Sequence, residues 1–205
     1  MAVVYPSLEW MNEVIKKVNG DKDLKKIAAN WEGDYLCRIE VDEEALRDLK
    51  DPERLAGFIA MLATIPVEKW GKFKGSPEEK FLNKLGLELD PDKLDISLLN
   101  AEELANKIAN IKLEDVKGSA TYIWMDFWHG ELRNMEFIAP GEHNDAKFKL
   151  IGTYGVFKQL ISGKADPISL VVTGKLKLQG DIGYMMRNMN AVRRFMELIS
   201  SIPIK

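Results

Sequence analysis

The sequence predicts an α+β fold, and three observations carry that prediction. The hydrophobic period changes from about 3.6 to 2 near Tyr35 and returns to about 3.6 after Val41. A long helix-patterned stretch, 42–117, then separates that strand from the next strand signal. From Ala120 onward, two strand-like segments flank a two-residue turn at His129-Gly130. With 205 residues, 46% of them hydrophobic and 30% charged, the chain can bury one substantial core, and we read 1–205 as a single domain.

The elements follow in order. Leu8, Met11, Ile15 and Val18 recur at helical spacing after a Ser7 cap, and Asn19-Gly20 ends the run. Asp21 caps a second helix through Ile27 and Ala28. Tyr35, Cys37, Ile39 and Val41 then alternate with Leu36, Arg38 and Glu40, as in a half-buried strand. Within 42–117, a helical insertion after this first strand, helix starts are marked by Asp51-Pro52-Glu53, by Ser76-Pro77-Glu78-Glu79 and by Asn100 with Glu103.

Tyr122–Trp128 and Glu131–Ile138 form the hairpin. Its two-residue turn sets Asp126 opposite Arg133, Trp124 opposite Met135 and Tyr122 opposite Phe137, with Ile123, Met125, Phe127 and Leu132 on the other face. A further strand is predicted over Ala146–Ile151, and a short helix over Tyr154–Ser162 that Gly163 ends. Alternation from Ile168 to Gln179 predicts a last strand, with Ile168, Leu170, Val172, Leu176 and Leu178 on one side. Ile182, Met185, Met186, Met189, Val192, Met196 and Ile199 form one apolar stripe on a final helix that Pro203 stops.

Charge and composition exclude several classes. A net charge of −3 argues against a nucleic-acid protein. From Lys158 onward, Lys158, Lys164, Lys175, Lys177, Arg187, Arg193, Arg194 and Lys205 face only Asp166, Asp181 and Glu197, so this segment carries +5 and the remainder −8. Such a surface is either an ordinary solvated face or one that anionic lipid headgroups attract. The chain has no apolar run of the ~18 residues that suggest a membrane span. The opening MAVVYPSLEW lacks a basic start and an apolar signal core. Cys37 is the single cysteine, which excludes an intrachain disulfide. A reducing cytoplasm is the expected location.

Catalytic patterns are not recognisable. His129 and His143 have no partner at metal-ligand spacing, no phosphate-loop or dinucleotide glycine pattern occurs, and neither metal nor cofactor is expected. Cys37, inside a strand, reads as a small core residue. An enzyme reading would rest on Asp126, His129 and Glu131 alone, without an adjacent nucleophile. The chain is therefore expected not to be an enzyme. The methionines of the last helix suit either plain core or a wall that adapts to ligands, and periodicity does not separate the two.

A resemblance adds to this reading. Tyr154-Gly155-Val156-Phe157-Lys158-Gln159-Leu160-Ile161-Ser162-Gly163-Lys164-Ala165-Asp166-Pro167 resembles the sterol carrier protein type 2 superfamily, in which a short helix ends in a Gly-Lys-x-(Asp/Asn)-Pro segment. Gly174-Lys175-Leu176-Lys177-Leu178-Gln179-Gly180-Asp181 is similar to the strand that follows it there. Trp31-Glu32-Gly33-Asp34 and Asp126–Arg133 look like prokaryotic members. The resemblance implies a curved, mostly antiparallel sheet of about five strands covered by helices, and between them an apolar tunnel for fatty acyl chains, sterols or isoprenoid-like lipids. Carried over by position, the ligand-binding wall is Val156, Phe157 and Leu160 of the short helix, Leu170, Val172 and Leu176 of the last strand, Met185, Met186 and Met189 of the last helix, and Phe127 of the hairpin. The expected partner is an apolar lipid, with transient contact to an anionic membrane surface. The alternative is an interaction module, either a homodimer or an accessory subunit presenting a lipid-like intermediate to an enzyme. Stretch 42–117 is longer than the family's usual link after the first strand, and Ile202-Pro203-Ile204-Lys205 is not a peroxisomal address.

Overall fold

The computed structural model describes residues 2–87 and 100–205. Five strands form one open mixed sheet in the order β3-β2-β1-β4-β5, where β1 is Glu32–Glu40, β2 Ala120–Trp128, β3 Glu131–Ile138, β4 Phe148–Thr153 and β5 Lys177–Gly180. Three of the four pairings are antiparallel, and β1 with β4 is parallel. Side-chain alternation directs Tyr35, Cys37, Ile39, Ile123, Met125 and Phe127 to the helix-covered face. The opposite face carries a small separate cluster of Leu36, Ile138 and Ala146, with Tyr122 and Trp124 against it.

Helix α1 (Leu8–Gly20) begins where the Ser7 hydroxyl accepts from the Trp10 amide, and α2 (Lys22–Ile27) where Asp21 accepts from the Leu24 amide. Between β1 and β2 run α3 (Glu43–Asp48), α4 (Pro52–Leu62), a 3-10 turn (Val67–Phe73), α5 (Pro77–Leu85), α6 (Ala101–Ile108) and a second 3-10 turn (Leu113–Val116). All three helix starts marked in the sequence open helices here, each with the cap side chain accepting from the first turn. At Ser76, however, the Glu79 carboxylate reaches the amide of Gly75 at 2.7 Å, one residue before the cap. Buried Glu78 accepts from the Ala120 amide and the Tyr122 hydroxyl, which ties α5 to β2. Residues 88–99 of the 42–117 stretch lie outside the described residues.

Three expectations need correction. The stretch beginning at Ile168 is not one strand. Pro167–Val172 forms helix α8 because the Asp166 carboxylate accepts from the Ser169 amide and Pro167 occupies the first turn, a start signal that outweighs β-branched alternation. Gly174, at φ +72°, turns the chain into the short β5, so Leu170 and Val172 are helical and Leu176 lies just before the strand. The hairpin register is also shifted. Phe127 pairs with Leu132 as the turn predicts, but Asp126 pairs with Asn134, Trp124 with Glu136 and Tyr122 with Ile138. Arg133 is the extra residue of a bulge, which brings Leu132, Met135 and Phe137 to the same buried face; a regular strand would put Leu132 opposite the other two. Arg133 still pairs with Asp126, through two hydrogen bonds of 2.8 and 2.9 Å. Finally, the last apolar stripe is divided between α9 (Ile182–Arg187) and α10 (Met189–Ser200), which meet at Asn188.

Helix α7 (Tyr154–Ile161) is fixed by a polar cluster. Asp48, at the end of α3, accepts from Lys158 Nζ at 2.5 Å and from the Tyr154 hydroxyl at 3.0 Å, and pairs with Arg54 of α4 at 2.7 Å. Burial opposes ionisation of Asp48, but the Lys158 and Tyr154 hydrogen bonds outweigh it and hold its carboxyl below the ordinary value. A lowered carboxyl pKa stabilises the fold above the unfolded-state value and is lost as pH falls through the folded-state value. Asp48→Asn is therefore expected to reduce unfolding free energy by about 2–3 kcal/mol at neutral pH. In urea titrations at descending pH, that deficit should shrink as the pH falls below about 4 and vanish once it lies below the lowered folded-state value, where the folded wild-type carboxyl is itself protonated.

Candidate functional site

One cavity of about 310 Å³ lies between the sheet and the C-terminal helices. Its floor comes from the sheet: Tyr35 on β1, Met125 and Phe127 on β2, Leu132 on β3, Leu150 on β4 and Leu178 on β5, with Trp31 at its side. Its roof is built from Leu160 of α7, Pro167, Ile168, Val171 and Val172 of α8, and Ile182, Met185 and Met186 of α9. Met189, Ala191, Val192, Phe195 and Met196 of α10 complete the wall, and Leu176 closes the corner before β5. The lining contains no charged side chain. Among its side chains the polar groups are the Trp31 indole N–H, which donates to the Gly33 carbonyl at 3.1 Å, and the Tyr35 hydroxyl. Burial, with smaller contributions from Cys37 and Tyr184, pushes the Tyr35 phenol well above its ordinary value, so it stays neutral. The interior is consequently a site for apolar matter, because a charge brought inside would lose its hydration without gaining a counterion.

The roof is held at one end by aromatic contacts. Trp31, about 1% exposed, stacks on Tyr35 and meets Phe127, Phe148 and Tyr184 with ring centres 5.4–5.9 Å apart. Tyr184 belongs to α9, and its hydroxyl donates to the Asn30 carbonyl at 3.0 Å while accepting from the Glu32 amide at 2.8 Å. Lys147 Nζ lies 4.0 Å from the centre of the same ring. These contacts clamp α9 onto the segment that enters β1. The other end of the roof is open. Val172, Ile182 and Met186 line the cavity yet are 79%, 54% and 58% exposed, so they form its mouth between α8 and α9.

Of the ten ligand-wall residues read from the sequence, seven line this cavity: Phe127, Leu160, Val172, Leu176, Met185, Met186 and Met189. Val156, Phe157 and Leu170 do not. Phe157 and Leu170 are buried in the general core, and Val156 packs against it. Several wall residues were not singled out in the sequence, Trp31, Tyr35, Ile182 and Phe195 among them. Trp31 stood in a quoted motif but outside any periodic segment, so no pattern assigned it a face. Phe195 lies off the methionine stripe and reaches Phe127, with ring centres 5.6 Å apart.

The residues of the enzyme reading do not converge. His129 Nε2 lies 3.0 Å from Glu32 and its ring stacks on Trp128, Asp126 is engaged by Arg133, and Glu131 pairs with Lys25. Among the described residues, no group of three His, Cys, Asp or Glu side chains is arranged to hold a metal ion. Burial pushes the Cys37 thiol up to about 12, leaving it a neutral core group.

Comparison with known proteins bears on this arrangement. Residues 86–193 match the model of the SCP-2 sterol transfer family. Among solved structures, a conserved protein of Thermus thermophilus, described as a candidate sterol carrier protein, shares 15% identity with a TM-score of 0.55, over 97% of this chain and 90% of its own. A structure of sterol carrier protein 2 shares 14% identity with a TM-score of 0.53, over 95% of each chain. At these identities the likeness is one of fold. None of the curated proteins matches the sequence. If Tyr184 clamps the roof as described, Tyr184→Phe should lower unfolding free energy by about 1–2 kcal/mol, measured by urea denaturation, since two hydrogen bonds are lost at once.

Proposed function

Because the chain belongs to the SCP-2 sterol transfer family, we propose that it binds and transfers an apolar lipid in the cavity beneath α8–α10, without making or breaking bonds in it. The observation that carries this reading is the 310 Å³ cavity, with no charged side chain in its wall and a mouth on the surface. Its volume sits at the low end of the roughly 300–1,000 Å³ typical of ligand pockets. It offers room for roughly ten groups the size of a water molecule, each about 30 Å³ in the liquid. That space favours a single acyl or isoprenoid chain over a bulkier ligand. Each buried methylene contributes about 0.8 kcal/mol, so useful affinity does not require a polar recognition group.

Stability points the same way. The apolar wall of an unfilled cavity that is open at its mouth lacks packing partners and stays in contact with water, which costs the fold stability. A lipid that fills the space offsets this cost, and the five methionines in the wall can adjust to chains of different length.

Lipid extraction of the freshly purified protein followed by mass spectrometry should find co-purified lipid. A fluorescent fatty acid should bind the delipidated protein and raise its melting temperature. Met189→Trp and Val192→Trp place bulk in the cavity from half-buried positions on α10 and should weaken fatty-acid binding at least tenfold while the protein remains folded. Absence of bound lipid together with failure to take up any fatty acid would overturn the proposal.

A further inference from the structure

The cavity wall contains one polar side-chain group that the protein leaves unused. The Trp31 indole N–H is committed to the Gly33 carbonyl, and the nearby Tyr184 hydroxyl to Asn30 and Glu32. The Tyr35 hydroxyl has no hydrogen-bond partner among the described residues. Nor is it sealed in the core. Among those residues, the Trp10 indole nitrogen is the one buried side-chain polar atom without a partner. The Tyr35 oxygen, equally unpartnered, therefore keeps accessible surface. Strand β1 is central, Tyr35 points to its helix-covered face, and Trp31 and Phe148 flank its ring at 5.7 and 5.2 Å between centres. The surface its oxygen keeps faces the cavity.

Packing does not account for that oxygen. A hydroxyl left unpaired among apolar groups costs folding free energy, and phenylalanine would fill the same space without the cost. Water is a poor occupant, because an ordered water needs about two to four polar partners. Beyond Tyr35, the uncommitted side-chain atoms of the wall with any polarity are thioether sulfurs, which are weak acceptors. A protonated phenol both donates and accepts, so it suits an uncharged hydroxyl or carbonyl oxygen. A carboxylate at the same place would be stripped of water with no cation in the wall to receive it.

We propose that the Tyr35 hydroxyl holds the polar end of the ligand, an uncharged hydroxyl or carbonyl oxygen on a single chain that enters the cavity head first. This rests on the reading of the cavity as a lipid site and adds its selectivity: chains ending in an alcohol or ester over those ending in a free carboxylate. Tyr35 lies at the end where Trp31 and Tyr184 clamp the roof, so the chain runs from there toward the mouth at Val172, Ile182 and Met186. A chain with a carboxylate takes the opposite direction, tail inward, with its charge in water at the mouth. One hydrogen bond adds little to the affinity of a buried chain; it sets direction and the choice of headgroup.

The test is displacement of a fluorescent fatty acid from the delipidated full chain by 1-decanol and by decanoate, in wild type and in Tyr35→Phe. It is run at about pH 8, where the carboxylate is ionised. The variant is expected to fold, because the hydroxyl has no partner among the described residues to lose. It should lower the affinity for 1-decanol relative to that for decanoate about fivefold. The ratio isolates the headgroup, since a change of cavity shape weakens both chains alike. In wild type labelled at the tyrosine ring carbon that bears oxygen, saturating 1-decanol should move the Tyr35 resonance, and decanoate should move it less. An unchanged ratio, equal shifts with the two ligands, or no shift at Tyr35 would overturn the proposal. Displacement by both chains with an unchanged ratio contradicts the Tyr35 assignment alone, whereas displacement by neither contradicts the lipid-cavity reading and this inference with it.

Discussion

Trp31 is the contact on which the arrangement of the site depends. It lies between α2 and β1, is almost wholly buried, and joins three parts that are distant in sequence: β1 through Tyr35, β2 through Phe127, and α9 through Tyr184. Its backbone carbonyl accepts from the His129 amide at 2.7 Å, which ties it to the hairpin turn as well. The neighbouring Gly130, at φ +78°, has a position where a Cβ would fall 2.6 Å from the Lys25 backbone, so α2 and the turn fit only around glycine. The floor of the cavity is thus held from several directions, and α9 in the roof is attached to it through Tyr184.

The cavity follows from the shape of its roof. Helices α8 and α9 have six residues each and are separated by the Gly174 turn and the short β5, so neither is long enough to lay a continuous apolar face on the sheet. Helix α10 is longer, yet α1, α2 and α7 also contact it, which fixes its distance from the sheet. The Asp48 cluster positions α7, and Arg194 of α10 binds Asp21 at the start of α2. Polar anchors therefore sit around the cavity but outside it. The interior is left to aliphatic, aromatic and methionine side chains, and the mouth to residues that are apolar and exposed at once.

Much of this was legible in the sequence where a local rule decided the outcome. The caps at Ser7, Asp21, Asp51, Ser76 and Asn100 each open a helix, because a side chain that accepts from a first-turn amide is a local contact that tertiary structure need not supply. The strand over Ile168–Gln179 failed because alternation and capping made opposite predictions, and the Asp166-Pro167 cap prevailed. The bulge at Arg133 was not legible, since nothing near it marks an extra residue; only the need to bury Leu132, Met135 and Phe137 together specifies it. For the site, the family-like segments pointed to six of the fifteen lining residues from Leu160 onward: Leu160, Val172, Leu176, Met185, Met186 and Met189. Trp31 and Tyr35 reach the cavity just before and at β1, the central strand, whose place between β2 and β4 is set by long-range pairing that periodicity does not report.

The central claim is that lipid occupies this cavity, and methionine methyl resonances test it most directly. Met125, Met185, Met186, Met189 and Met196 line the cavity, whereas Met11, Met61 and Met135 do not. In a protein carrying isotope-labelled methionine methyl groups, titration with a medium-chain fatty acid should shift the five lining resonances saturably and together, and leave the other three in place. Shifts confined to Met11, Met61 or Met135, or no saturable shift at any lining methionine, would contradict it.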